Sequence, residues 1–172
     1  MLKALILGTL FQQTTVTLAG IKERHTIYQQ ARQFADETGK PLLVVGAPKL
    51  LLFHGCGDIT IDIDPNLGTP CDVELADVRQ IPYPDGYFGA AFVSHVLEHL
   101  ATIEDAEDAL NELHRVADKV FVASPSKFSM IAWIHPGHHL WVTSSGDGYM
   151  LEQRSLPSRH KSYVIAFGVS NG

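Results

Sequence analysis

A chain of 172 residues, 45% hydrophobic and 19% charged, is long enough for one domain with a real core and short for two. Its formal net charge of -6 argues against a dedicated nucleic-acid surface, so nucleic acid is not indicated as a partner. Two cysteines, Cys56 and Cys71, set no disulfide framework; a reducing compartment fits, and a single bridge is compatible with the count.

Residues 4–21 carry no charge. The length suits a membrane span, but Gln12, Gln13, Thr14, Thr15 and Thr17 place polar groups in its middle. That composition speaks against a clean span and against the apolar centre of a cleaved signal. Three readings stay open: a helix or strand packed on the domain, a membrane or surface anchor, and a contact to another subunit. The expected organisation is therefore an uncharged segment over 1–21 and a single domain over 22–172. The expected location is cytoplasmic, with membrane association through the N-terminus as an open reading.

Residues 22–38 read as an amphipathic helix, because Ile27, Ala31, Phe34 and Ala35 fall at i, i+4, i+7 and i+8. Gly39 supplies a stop, and Pro41 prevents continuation. Leu42-Leu43-Val44-Val45-Gly46 is a continuous apolar run ending in glycine, the pattern of a central parallel strand. A dozen residues separate Gly46 from Ile59, and His54-Gly55-Cys56-Gly57-Asp58 takes the last five as loop. The first crossover helix is therefore reduced or absent. Another register makes Leu50–Phe53 the first strand and Gly55-Cys56-Gly57 its glycine loop. It leaves no room for any helix, and the first register is preferred.

Ile59 to Asp64 reads as a strand ending in acids, stopped by Pro65. Asp72 to Asp77 holds a short third strand and its loop. Pro82 and Pro84 stiffen the next approach, and Asp85-Gly86 supplies a turn. Phe88 to Val93 is an apolar run for a buried strand, closed by Ser94; a helix-like segment follows at Val96-Leu97-Glu98-His99. A strand feeding a helix is half of a βαβ unit, the builder of parallel sheets.

Thr102 is a cap-like residue before a helix whose apolar stripe is Ile103, Ala106, Leu110, Leu113 and Ala117. Asp118-Lys119 is expected to make the join to a fifth strand, Val120–Ala123, stopped by Ser124-Pro125. Phe128 to His135 reads as a short helix. Residues 149–155 and 163–168 read as two closing strands, joined by a stretch with Pro157 and the basic set Arg159, His160 and Lys161. The fold class expected is α/β, a Rossmann-like doubly wound and mostly parallel sheet of about seven strands with a C-terminal antiparallel hairpin.

His135, His138 and His139 lie close enough in sequence to raise a metal site, with Cys56 or Asp58 as outside ligands. No Cys-x-x-Cys or His-Glu-x-x-His spacing accompanies them, and no metal site is assigned.

The stretch from Asp77 to Leu100 contains an acid, the turn Pro82-Tyr83-Pro84-Asp85-Gly86-Tyr87-Phe88, and a strand end Ser94-His95-Val96-Leu97-Glu98-His99. Ala109 to Val116 adds Ala-Leu-x-Glu-Leu-x-Arg-Val. Over roughly residues 42–125 the chain resembles the class I S-adenosylmethionine-dependent methyltransferases, in the methyltransferase type 11 branch. The resemblance implies S-adenosylmethionine as cofactor. Gly46 and Ala47 would then stand in the loop at its methionine end. Asp62 would accept from the ribose hydroxyls, with Ile63 beside it. Asp77 would accept from the adenine amino group, and the Val78 N–H would meet a ring nitrogen. Ser94 completes the implied cofactor set.

His95, just after the fourth strand, is the one candidate base for an acceptor that must lose a proton. The chain also departs from the family pattern. Val44 stands where an acid is usual, Ala47 and Pro48 where a second glycine is useful, and Gly89 where Asp normally follows Phe. Two functional expectations follow. One is a methyltransferase acting on an unidentified acceptor. The other is a catalytically inactive methyltransferase-like domain serving as a structural or binding subunit, membrane- or assembly-associated through residues 1–21.

Overall fold

A computed structural model describes residues 2–48, 55–64, 68–145, 148–154 and 162–166. Helix α1 runs from Leu2 to Thr38 without a break. The Thr14, Thr15 and Thr17 hydroxyls donate to the carbonyls of Leu10, Phe11 and Gln13, four residues back. Polar side chains satisfied in this way let the uncharged segment continue as helix. No sequence break separates residues 2–21 from 22–38; what changes is the cover. Leu7, Leu10, Phe11 and Leu18 are exposed, whereas Tyr28, Ala31 and Ala35 are buried. Among the described residues, no helix is long and apolar enough to cross a membrane.

Five short strands form a parallel sheet: β1 (Leu42–Val45), β2 (Ile59–Asp62), β3 (Glu74–Leu75), β4 (Phe88–Ser94) and β5 (Ala117–Ala123). Their order is β3-β2-β1-β4-β5. β1 pairs with β2 through Leu43 opposite Ile59 and with β4 through Leu43 opposite Ala91. Both faces of the central strands are covered, so they read as unbroken apolar runs. Alternation still sorts their side chains. Leu42, Val44, Ala90 and Phe92 pack under α1 with Tyr28, Ala31 and Ala35. Leu43, Val45, Ala91 and Val93 face the other way, onto helix α2 (Ile103–Val116) and its Ala106, Leu110 and Leu113.

The preferred register for the first strand holds, and Leu50–Phe53 lies outside the described residues, as does Pro65. No helix separates β1 from β2 among the residues described there. Val96 to His99 narrows to a single 3-10 turn, Leu97–His99. The Thr102 side chain caps α2, accepting from the Asp105 N–H at 3.1 Å. Asp118-Lys119 is not a turn: Ala117 closes α2 and opens β5 in one residue, with φ -128°. Extended backbone is open to any residue, so no glycine is needed for this join.

Helix α2 also fixes the proline-rich approach to β4. The Arg115 guanidinium donates to the carbonyls of Ile81 and Tyr83 and to Asp85, and Glu112 accepts from the Ile81 N–H at 2.8 Å. Helix α3 (Met130–Ile134) follows β5.

The chain's end departs from the expectation of one seven-stranded sheet. β6 (Leu140–Ser145), β7 (Gly148–Gln153) and β8 (Ser162–Ala166) form a separate antiparallel sheet in the order β6-β7-β8. β6 supplies the strand that the pattern did not announce, because Leu140-Trp141-Val142 is its only apolar run. The basic set Arg159, His160 and Lys161, with Pro157, lies outside the described residues.

Candidate functional site

The strand order reverses between β1 and β4: from β1 the chain adds β2 and β3 on one side, and β4 and β5 follow on the other. In open α/β sheets, ligands bind in the crevice at the carboxyl ends of the strands where this reversal occurs. A cavity of about 1080 Å³ lies there. Its wall includes Gly46 and Ala47 from β1, Asp62 and Ile63 from β2, Asp77 and Val78 beyond β3, and Ser94 and His95 from β4. The implied cofactor residues are thus brought to one cavity.

Gly46 adopts φ +88°, and a Cβ there would lie 2.5 Å from the Ser94 carbonyl oxygen. Only glycine meets both conditions, so β1 and β4 close up at the floor of the crevice. Asp62 ties the loop above this floor. Its Oδ2 accepts from the Ala47 N–H at 2.8 Å and its Oδ1 from the Asp64 N–H at 3.0 Å. A carboxylate oxygen has two acceptor sites, so each keeps capacity for a ligand hydroxyl. Ile63 is exposed beside it, and Val78 is buried.

Asp77 is differently engaged. It is gripped by Arg79, which donates from Nε to Oδ1 at 3.0 Å and from Nη2 to Oδ2 at 2.7 Å. Those bonds chiefly hold its carboxyl below the ordinary carboxylate range. Arg79 also reaches Asp105 at the start of α2. Val44, where an acid was the family expectation, points into the core under α1 and does not line the cavity. Gly89 also has a packing reason: a Cβ there would sit 2.1 Å from the Thr38 hydroxyl and 3.1 Å from the Ala35 Cα.

His95 has φ 56°, a conformation that costs a non-glycine residue about 1 kcal/mol or more. The surrounding bonds hold it there. Its N–H donates to the Ala123 carbonyl at 2.9 Å, so the chain is fixed to β5 as it leaves β4. Its Nε2 accepts from the Arg24 guanidinium of α1, and its Nδ1 lies 3.1 Å from Glu98 Oε1. Glu98 is fully buried, and neither oxygen has a hydrogen bond of good direction. Burial lowers the Arg24 pKa, and the charge of Glu98 opposes that shift. A buried carboxylate, an imidazole and a half-buried guanidinium thus stand in line. Arg24 occupies the one ring nitrogen that could take a proton.

Of these residues, Arg24 and Glu98 escaped the sequence reading. Glu98 carried a signal, as an acid inside an apolar strand-to-helix turn. The outside metal ligands considered with the histidines are committed elsewhere. Cys56 is bonded to Cys71, with Cα atoms 5.6 Å apart. Asp58 binds the Leu42 N–H and Arg32, both at 2.7 Å. His139 is exposed, and the imidazoles that do converge are His99, His135 and His138.

Residues 59–119 match the family described as "Methyltransferase domain". The matched stretch runs from the start of β2 into β5 and contains Asp62, Asp77, Ser94 and His95. No curated protein matches the chain. Among solved structures, the chain is similar to the PH0226 protein from Pyrococcus horikoshii OT3, with 13% identity and a TM-score of 0.44. That likeness covers 86% of this chain and 77% of the other.

Proposed function

We propose that this chain, a methyltransferase-domain protein over residues 59–119, binds S-adenosylmethionine in the crevice between β1 and β4 and transfers its methyl group to an acceptor. The observation that carries the reading is Asp62. It stands at the carboxyl end of β2, on the cavity wall, with spare acceptor capacity on both oxygens. That is the chemistry a vicinal ribose diol needs. Gly46 leaves room for backbone approach, and Asp77 and Val78 stand one strand further along, at the adenine end. The bound cofactor would supply an electrophilic methyl on a sulfonium. The protein's part is to hold the acceptor in line with it, and orientation alone is worth several kcal/mol. His95 serves as base only for an acceptor that displaces Arg24 from Nε2; Glu98 then faces the protonated ring.

Calorimetric titration with S-adenosylmethionine tests this. Micromolar binding that is lost on Asp62→Ala supports it. No heat at millimolar cofactor overturns it in favour of a domain that has kept the fold without the cofactor.

A second reading, a binding subunit docked through its N-terminal helix, has its own observation. Leu7, Leu10 and Phe11 of α1 are exposed, as are Phe128, Ile131 and Trp133 around α3. The two groups belong to one surface, because Gln13 bonds to both the Phe128 carbonyl and the Met130 N–H. Lone exposed apolar residues need no explanation, but a continuous patch does. Sedimentation with anionic lipid vesicles and light scattering of the free chain test it. Phe11→Ser should abolish whichever association is seen; a monomer that leaves vesicles alone removes this reading.

A further inference from the structure

We propose that His99, His135 and His138 form a binding site for one divalent transition-metal ion of the zinc class, on the wall of the cavity. The inference stands on these imidazoles and does not rest on methyl transfer. One ligand nitrogen from each ring lies within 4.8 Å of the others. His99 comes from the 3-10 turn after β4, and the other two flank the turn after α3. Two bonds bring these distant segments together. The His139 N–H donates to the Glu98 carbonyl at 2.7 Å, and the His99 ring meets the Gly137 carbonyl at 2.8 Å.

The ring nitrogens are sorted by their partners. A carbonyl only accepts, so His99 Nδ1 carries the proton that it gives to Gly137, and Nε2 keeps a free lone pair. His138 repeats the pattern, with Nδ1 facing the Ala132 carbonyl at 3.2 Å. An imidazole that donates its second N–H to a backbone carbonyl is the usual form of a metal-bound histidine. His135 differs. Its Nδ1 accepts from the Gly137 N–H at 3.2 Å, so metal binding gives up that long bond, whether the ion takes Nδ1 itself or takes Nε2 with the ring proton moved to Nδ1.

Geometry and charge agree with this assignment. Zinc–nitrogen bonds of about 2.0–2.1 Å on a tetrahedron put the nitrogens about 3.3 Å apart. From a present separation of up to 4.8 Å the nitrogens must close in by up to about 1.5 Å, and His99 and His135 are exposed. Beneath them the Glu98 carboxylate is fully buried without a well-directed hydrogen bond, and its charge acts on His138. A cation on the histidines would compensate that charge. Three imidazoles select zinc, copper or nickel over magnesium or calcium, which prefer oxygen. Three protein ligands also leave a fourth position, and all three histidines line the cavity that holds Asp62 and Ser94. Water or a cavity-bound ligand would take it, as in open zinc sites.

The test uses the untagged full chain, stripped with a chelator and titrated with zinc against a chromogenic zinc indicator. One zinc per chain is expected. His99→Ala and His138→Ala should each weaken binding at least about tenfold. His139→Ala, one residue away, should leave it unchanged. Cobalt loading of the unaltered chain gives a readout that does not depend on any variant folding. Intense visible bands of four-coordinate cobalt are expected. No zinc retained at micromolar concentration, a cobalt spectrum of the aqueous ion, or a His139→Ala loss equal to that of His138→Ala overturns the proposal.

Discussion

The Ala47 N–H donates to Asp62 Oδ2 at 2.8 Å, so the loop leaving β1 is held by the side chain that ends β2. The same carboxylate also accepts from Asp64 through its other oxygen. Asp62→Asn keeps the shape but only one acceptor oxygen, so one of the two N–H groups loses its partner. The expected result is a stability loss of about 1 kcal/mol in urea unfolding, with a larger relative loss of S-adenosylmethionine affinity by calorimetry. An unchanged affinity would separate Asp62's structural tie from any ligand role.

Gly89 stands where the methyltransferase pattern that the chain resembles has Asp, and it is where α1 touches β4. Gly89→Asp would restore the familiar residue and drive a Cβ to 2.1 Å from Thr38 Oγ1. The helix must lift, and a carboxylate is buried under it. A loss of roughly 3 kcal/mol is expected, read from thermal or urea unfolding. Gly89→Ala should show most of that loss, because the clash begins at Cβ.

The Cys56–Cys71 bridge closes a separation of 15 residues around β2. Reduction, or the double change Cys56→Ser with Cys71→Ser, should lower stability by about 3 kcal/mol on the loop-entropy account. The fold should survive it. The Cys56 carbonyl is also held by the Tyr28 hydroxyl at 2.8 Å and by Arg32 at 3.3 Å, which dock the same loop on α1. Thiol titration under denaturing conditions, with and without reductant, checks the bond; unfolding midpoints check its contribution.

Acid should weaken the fold in two windows. Burial pushes the His114 pKa down, so below about pH 6.5 the unfolded chain takes up a proton that the folded chain refuses. Stability then falls gently as the pH drops. Asp58 and Glu112 give the second window. Burial raises the Asp58 pKa, but the Leu42 N–H and Arg32 outweigh it and hold the carboxyl below its usual range. Arg115 does the same for Glu112. Their contribution is complete above about pH 4–5 and is lost as pH falls through the depressed folded values. Urea midpoints from pH 8 to pH 3 should show both arms, and His114→Gln should flatten only the first.

What could be read in the sequence and what could not divide along a physical line. The strands around Leu43, Ile61 and Phe92 announce themselves because burial on both faces demands continuous apolar runs. Helix α2 does so because one apolar stripe and one cap suffice. Asp62 is legible as an acid at a strand end, but its role and that of Asp77 came from the family resemblance; the cavity wall carries both. The His99–His135–His138 trio was not visible, since 35 residues separate its first two members and no spacing rule joins them. Arg24 on Nε2 of His95 was hidden for the same reason. The Arg79 grip on Asp77 was close in sequence and still unread, because an acid is expected to face the ligand until a neighbour is seen to claim it.

Helix α1 has 37 residues and is therefore about 55 Å long. It is fastened at Ala35 against Gly89, at Arg24 against His95 and at Gln13 against the α3 segment. Between these fastenings lies unbroken helix with no hinge. One unbroken helix therefore sets three distances at once: the guanidinium on His95 and the α3 segment are spaced from each other, and from the sheet at Gly89, by the same backbone.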